Sequence, residues 1–192
     1  ATLIEGQPVI IEQTESSVSV FRYVDKQAAL LAYLASGTYE LLGATEPLLL
    51  LHETQHDKLI LIDTSQDDQP ILLNVDGKGA EWAPDGSGRL LYWSDFEVHV
   101  YDPETYSDEL LTRIGEPTQT ATWHSEGNAI LVSRANTIEA VELDWRDQRN
   151  IIELASGTNI STLWITENGR VAYFVGEVTP DRGLFELELQ RR

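Results

Sequence analysis

The sequence predicts an all-β propeller of about five four-stranded blades, and three observations predict it. Trp82, Trp123 and Trp164 recur at intervals of 41 residues. They lie in similar strings: AEWAPDGSGRLLYW, ATWHSEGNAILVSR and TLWITENGRVAYFV. Alternating strands ending in aspartate keep nearly the same period. SVSVFRYVD, KLILID, EVHVYD and IEAVELD close at Asp25, Asp63, Asp102 and Asp144, with gaps of 38, 39 and 42 residues. The string Leu-Ala-Ser-Gly-Thr at 34–38 returns at 154–158, three repeats of about 40 residues later.

Each repeat resolves into strands a to d. Strand a leads into a turn carrying Asp85-Gly86, Glu126-Gly127 or Asn168-Gly169, dipeptides that tolerate the positive φ of tight hairpins. Strand b follows, then strand c with its closing aspartate. A polar turn leads to strand d: AALLAYLASG, PILLNVDG, ELLTRIGE or NIIELASG. The expected blades of a single domain over 1–192 are about 1–37, 38–78, 79–118, 119–158 and 159–192. Ala1–Ile4 makes a poor first strand, and the last blade stops after strand c, LFELELQ. The last blade is therefore expected either to stay incomplete or to be closed by Thr2–Ile4 as a clasp. An open ring would expose sheet faces and edges and self-associate. No window keeps a 3.6-residue apolar period, so helix is not expected. A β-sandwich would not predict the 41-residue tryptophan interval.

Composition excludes several functions. The chain has 192 residues, 13 Lys+Arg against 32 Asp+Glu, and a net charge of −19. Such a surface repels phosphate backbones and anionic lipids, so neither nucleic acid nor direct membrane insertion is expected. Absence of cysteine removes disulfides, thiolate metal sites and a Cys nucleophile. Absence of methionine leads to the expectation that residue 1 is not the translated start. Only Lys26, Lys58 and Lys78 are lysines. An acid-rich, lysine-poor surface suits high salt or a crowded envelope and keeps copies apart.

The sharpest chemical motif is His52-Glu53-Thr54-Gln55-His56, which matches H-E-x-x-H. Zinc peptidase chemistry needs it on a helix, where imidazoles at i and i+4 share one metal. The repeat instead places His52–Asp57 in the hairpin between strands b and c. His52 and His56 thus stand as weak metal candidates, and no cofactor is implied. A funnel-type glycosidase needs paired carboxylates on the inner strands. There the repeat offers Glu81, but Thr122 and Leu163 at matching positions. Asp25, Asp63, Asp102 and Asp144 recur once per blade and read as turn caps. Trp82, Trp123 and Trp164 read as anchors packed between sheets. Trp145, off the period and beside Arg146 and Arg149, is a candidate partner contact.

WAPDG at 82–86 followed by an alternating strand resembles the repeat of TolB-like and WD-repeat-like bacterial propellers. Residues 81–190 carry LLYWSDFEVHVYDPETYSDELLTRIGEP, ATWHSEGNAILVSRANTIEAVELD, RDQRNI and GLFELELQ. This stretch resembles the C-terminal propeller of bacterial PEGA-domain envelope proteins. The resemblance implies a location outside the cytoplasmic membrane, anchoring through a preceding N-terminal segment, and a binding or scaffolding role. It brings no catalytic residues. The expected function is a non-catalytic module contacting another protein, a glycan or the rest of its own parent chain. The alternative is an enzyme, either the zinc peptidase or the glycosidase.

Overall fold

Alternation of apolar and polar residues with a period of two builds strands throughout the chain. The computed structural model describes residues 2–4, 6–66, 68–144, 146 and 149–189. Its strands form five antiparallel sheets, and no helix occurs among the described residues. None is therefore long and apolar enough to cross a membrane.

The chain divides into two compact units, Ala1–Lys78 and Gly79–Arg192. In the first unit, β1 (Thr2–Ile4), β2 (Gln7–Gln13), β3 (Val18–Val24) and β4 (Gln27–Leu34) pair in sequence order. β5 (Tyr39–Thr45), β6 (Leu48–Glu53), β7 (Lys58–Asp63) and β8 (Ile71–Asp76) form the second sheet. The two sheets share a core in which Val18, Val20 and Leu34 meet Leu49, Leu51, Ile60 and Ile62. Leu48–Leu51 and Leu59–Ile62 are buried residue after residue. Such runs mark strands covered on both faces, and each buried Leu or Ile contributes about 1.5–3 kcal/mol.

The second unit holds three sheets. The third is β9 (Gly79–Trp82), β10 (Leu90–Trp93), β11 (Glu97–Asp102) and β12 (Ser107–Arg113). The fourth is β13 (Thr118–Trp123), β14 (Ala129–Arg134), β15 (Thr137–Glu142) and β16 (Ile151–Ser156). The fifth is β17 (Thr158–Ile165), β18 (Val171–Val178) and β19 (Asp181–Glu188). Leu91, Val98 and Val100 pack on Trp123, Ile130 and Val132. Leu131 and Ile138 on the other face of the fourth sheet pack on Leu163 and Phe174.

Three expectations need correction. Of the two expectations for the last blade, the clasp is the one that fails: Thr2–Ile4 does not close the fifth sheet. It pairs with β2, Thr2 opposite Val9, through a hairpin in which Gly6 has φ 72°. Pairing across so short a loop carries little closure entropy. The fifth sheet has three strands among the described residues.

The second correction concerns Trp164. Trp123 is 3% exposed, and Trp82 is half-buried, but Trp164 is 41% exposed. Trp123 closes its hairpin opposite Ile130, followed by the bond from His124 N–H to Ala129 O. The equivalent position in the fifth sheet belongs to Ile165, opposite Ala172 and followed by the bond from Thr166 N–H to Val171 O. One extra residue before the turn moves the tryptophan to the opposite face. There it stacks on Tyr173, centroids 5.6 Å apart.

The third concerns the aspartates. Asp63, Asp102 and Asp144 each accept a backbone N–H two residues on, at 2.9, 2.9 and 3.1 Å. Asp25 instead occupies the first position of a two-residue turn, with φ 51° before Lys26 at φ 64°. That left-handed pair is what a tight hairpin between β3 and β4 requires.

Candidate interaction cleft at the inner strands

The edge strands β9, β13 and β17 lie together, β13 packing on both others. The turns that follow them interlock. Trp123 Nε1 donates to the Glu81 carbonyl at 3.0 Å. Arg89 Nη2 bonds Asp85 Oδ2 at 2.7 Å and reaches the Gly127 carbonyl at 2.9 Å. Its guanidinium lies 5.0 Å from the Trp123 ring centroid. His124 Nε2 makes the analogous bond to the Gly169 carbonyl at 3.0 Å. Gly127 and Gly169 both have φ 68°. A Cβ on Gly127 would lie 2.8 Å from Asp85 Oδ2, and one on Gly169 2.3 Å from Ser125 Oγ. Each turn glycine is thus seated against the turn of the preceding sheet.

A cleft of about 300 Å3 opens beside these strands, lined by Glu81, Thr122, Trp123, Ser125, Thr166 and Glu167 among others. Burial pushes the Glu81 carboxyl above its ordinary range, although the Thr122 hydroxyl and the Trp123 N–H donate to it. Asp85 goes the other way, down to about 2, held by the Ser87 hydroxyl against its own burial, with the Ser87 N–H and Arg89 adding to the effect. Among the described residues the lining combines carboxylates, hydroxyls, one aromatic wall and the apolar Pro84 and Ile165, with no cationic side chain. That surface accepts hydrogen bonds and suits a donor-rich ligand. Sequence spacing found Glu81 but missed Glu167, because the turn after β17, not the strand, supplies it.

The H-E-x-x-H string lies on β6 and its turn, not on a helix. His52 faces Leu59 across the hairpin, its Nε2 buried and 3.5 Å from Asp57 Oδ1. Glu53 is 4% exposed. It accepts the N–H groups of Gln55 and His56 at 3.1 and 2.8 Å and pairs with His56 Nδ1 at 2.9 Å. Burial opposes its ionisation, but these bonds outweigh burial and hold its pKa below the usual value. The carboxylate is committed to the turn, not poised beside a metal-bound water. No group of three or more His, Cys, Asp or Glu residues among the described residues is arranged to hold a metal ion.

Of the expected partner contact, Trp145 lies outside the described residues. Arg146 is exposed and bonded to Asp144. Arg149 is not available to a partner. Its Nη1 donates to the Leu110 and Leu111 carbonyls at 3.2 Å, and its Nη2 pairs with Glu109. It ties the fourth sheet to β12. A second constellation escaped sequence reasoning: His99 stacks on Tyr92 and sits between Asp108 and Glu97, at 3.1 and 3.3 Å. Only the pairing of β11 with β12 brings Asp108 to it.

No protein-family profile matches the chain, and no curated protein matches it. Solved structures do. The C-terminal WD40 domain of Sif2 superposes with a TM-score of 0.61 at 12% identity, over 94% of this chain and 57% of that one. An oligogalacturonate lyase in complex with manganese gives 0.60 at 15% identity, over 92% and 55%. A complex of KlAtg21 with the coiled coil of AgAtg16 gives 0.60 at 12% identity, over 91% and 62%. The chain thus has a β-propeller fold. It spans little more than half the length of these chains.

Proposed function

We propose that this chain is a non-catalytic propeller module that binds another protein through the cleft beside β9, β13 and β17. The observation that carries the reading is the cleft lining. The Glu81 carboxyl is held by the Thr122 hydroxyl and the Trp123 backbone N–H, Glu167 lines the same cleft, and no cationic side chain joins them among the described residues. A preorganised acceptor surface recognises a donor-rich segment at little entropic cost. Protein scaffolding is typical of WD40-like propellers, and one structural neighbour is a complex with a coiled coil. The likeness of residues 81–190 to PEGA-domain propellers and the net charge of −19 support a place outside the bacterial cytoplasmic membrane, on an anchored protein.

Capture from bacterial envelope extracts tests this reading, with Glu167→Lys as the control. Glu167 is exposed at the cleft, so its reversal should abolish capture without unfolding the chain. Absence of any partner lost on this substitution would count against the proposal.

One observation favours a second reading. Glu81, whose carboxyl is pushed up by burial, and Glu167 line one cleft, and two carboxyls flanking one site are the pairing of a glycosidase. A neighbour described as a lyase keeps carbohydrate chemistry within this fold. Turnover of a glycan panel, abolished by Glu81→Gln, would establish it.

A further inference from the structure

The cleft beside β9, β13 and β17 has two kinds of wall. Pro84 and Ile165 are apolar, and the carboxyls of Glu81 and Glu167 line the same space. Its volume of about 300 Å3 stands at the small end of ligand pockets, which run from roughly 300 to 1,000 Å3. A single long side chain suits such a space. To match both walls it needs an apolar stem and a hydrogen-bond-donating head. Arginine and lysine have that build, laying their methylenes along apolar surface while the charged end stays among polar groups.

The acceptors left open favour a guanidinium over an ammonium. The Glu81 carboxyl accepts the Thr122 hydroxyl and the Trp123 N–H, two of the roughly four lone-pair sites of a carboxylate. Burial holds that carboxyl above its ordinary range, and an adjacent cation favours the ionised form. A guanidinium is planar, carries its donors in a fixed fork and is more weakly hydrated than an ammonium, so it loses less on entering a half-buried site. The chain already seats one guanidinium of its own in this way. Arg89 bonds Asp85 at 2.7 Å and the Gly127 carbonyl at 2.9 Å, 5.0 Å from the Trp123 ring centroid. Carboxylate, turn carbonyl and indole thus hold an arginine against the same tryptophan that lines the cleft.

We propose, resting on the reading of this cleft as a protein-binding site, that the partner enters it with an arginine side chain, the guanidinium directed to Glu81 and Glu167 and the methylenes to Pro84 and Ile165. The net charge of −19 draws such a segment in, more strongly at low salt.

Peptides selected on the whole chain from a random display library test the proposal, taking those that slow hydrogen exchange at 122–125 and 165–167. An arginine common to these peptides is expected. Citrulline in its place keeps the shape and removes the charge, and should raise Kd about tenfold or more. Lysine should recover only part of that loss. Glu81→Gln and Glu167→Gln should each weaken the arginine peptide about fivefold or more and leave its citrulline form nearly unchanged. Asp181→Asn removes the same charge in the β18–β19 hairpin, at the other end of β18 from the cleft, and should change binding less than about twofold. Cleft-binding peptides without arginine, or indifferent to citrulline, would overturn the inference and leave the protein-binding reading standing. So would equal effects of Asp181→Asn and Glu167→Gln, which would mark the attraction as general charge. Absence of any peptide that protects these segments would overturn both.

Discussion

The indole N–H of Trp123 donates to the backbone carbonyl of Glu81, 3.0 Å away on the neighbouring sheet. One side chain thereby fills the core between two sheets and positions the residue whose carboxyl lines the cleft. Trp123→Phe keeps most of the apolar volume and leaves a carbonyl without its donor. The expected cost is about 1–2 kcal/mol, read from the denaturant midpoint, with a loss of partner binding larger than the loss of stability explains.

The turn glycines should differ among themselves. Gly86 has φ 73° with open space around it, whereas Gly169 has φ 68° and no room for a Cβ. Gly86→Ala therefore bears only the backbone cost, about 1 kcal/mol. Gly169→Ala adds a clash with Ser125 and His124 and should cost at least twice as much. Equal effects at the two sites, measured by chemical denaturation, would contradict the interlocking of turns.

Acid should reveal two carboxyls of opposite sign. Asp85 is held at about 2 against an ordinary 3.8, so its stabilising effect is complete above that ordinary value and fades as pH falls towards 2. Asp85→Asn should flatten the stability profile in that window. Glu81 is raised, so its contribution is complete below its unfolded pKa and is lost as pH rises through the folded one. Glu81→Gln should therefore be neutral in acid and stabilising at pH 7. Urea titrations of the two variants across pH check both signs.

The β6–β7 hairpin should depend on Glu53 more than on either histidine. Glu53→Ala strands the N–H groups of Gln55 and His56 and should cost about 2 kcal/mol. His56 is mostly exposed, and His56→Ala should cost less than about 1 kcal/mol. Zinc bound stoichiometrically and lost on His52→Ala would overturn the structural reading of this string.

The sheets were legible because the repeat is written in strand-length apolar alternation and turn chemistry, both local. What escaped depends on counting single residues. Trp164 keeps the 41-residue interval, yet Gly127 and Gly169 stand 42 apart. That extra residue sends the indole to the other face. Asp25 shares a strand ending with Asp63, but its turn is only two residues long, so φ, not a side-chain bond, selects the residue. Arg149 beside a tryptophan reads as an interface arginine until the carbonyls of β12 are seen to hold it. Glu167 joins Glu81 only after three sheets have packed, and no spacing rule carries that information.

The most direct test of the binding cleft is hydrogen exchange of the chain with and without peptides selected against it from a random display library. The account predicts donor-rich peptides that slow exchange at 122–125 and 165–167, with protection lost in Glu167→Lys. Protection confined to other segments, or peptides that bind Glu167→Lys equally well, would contradict it.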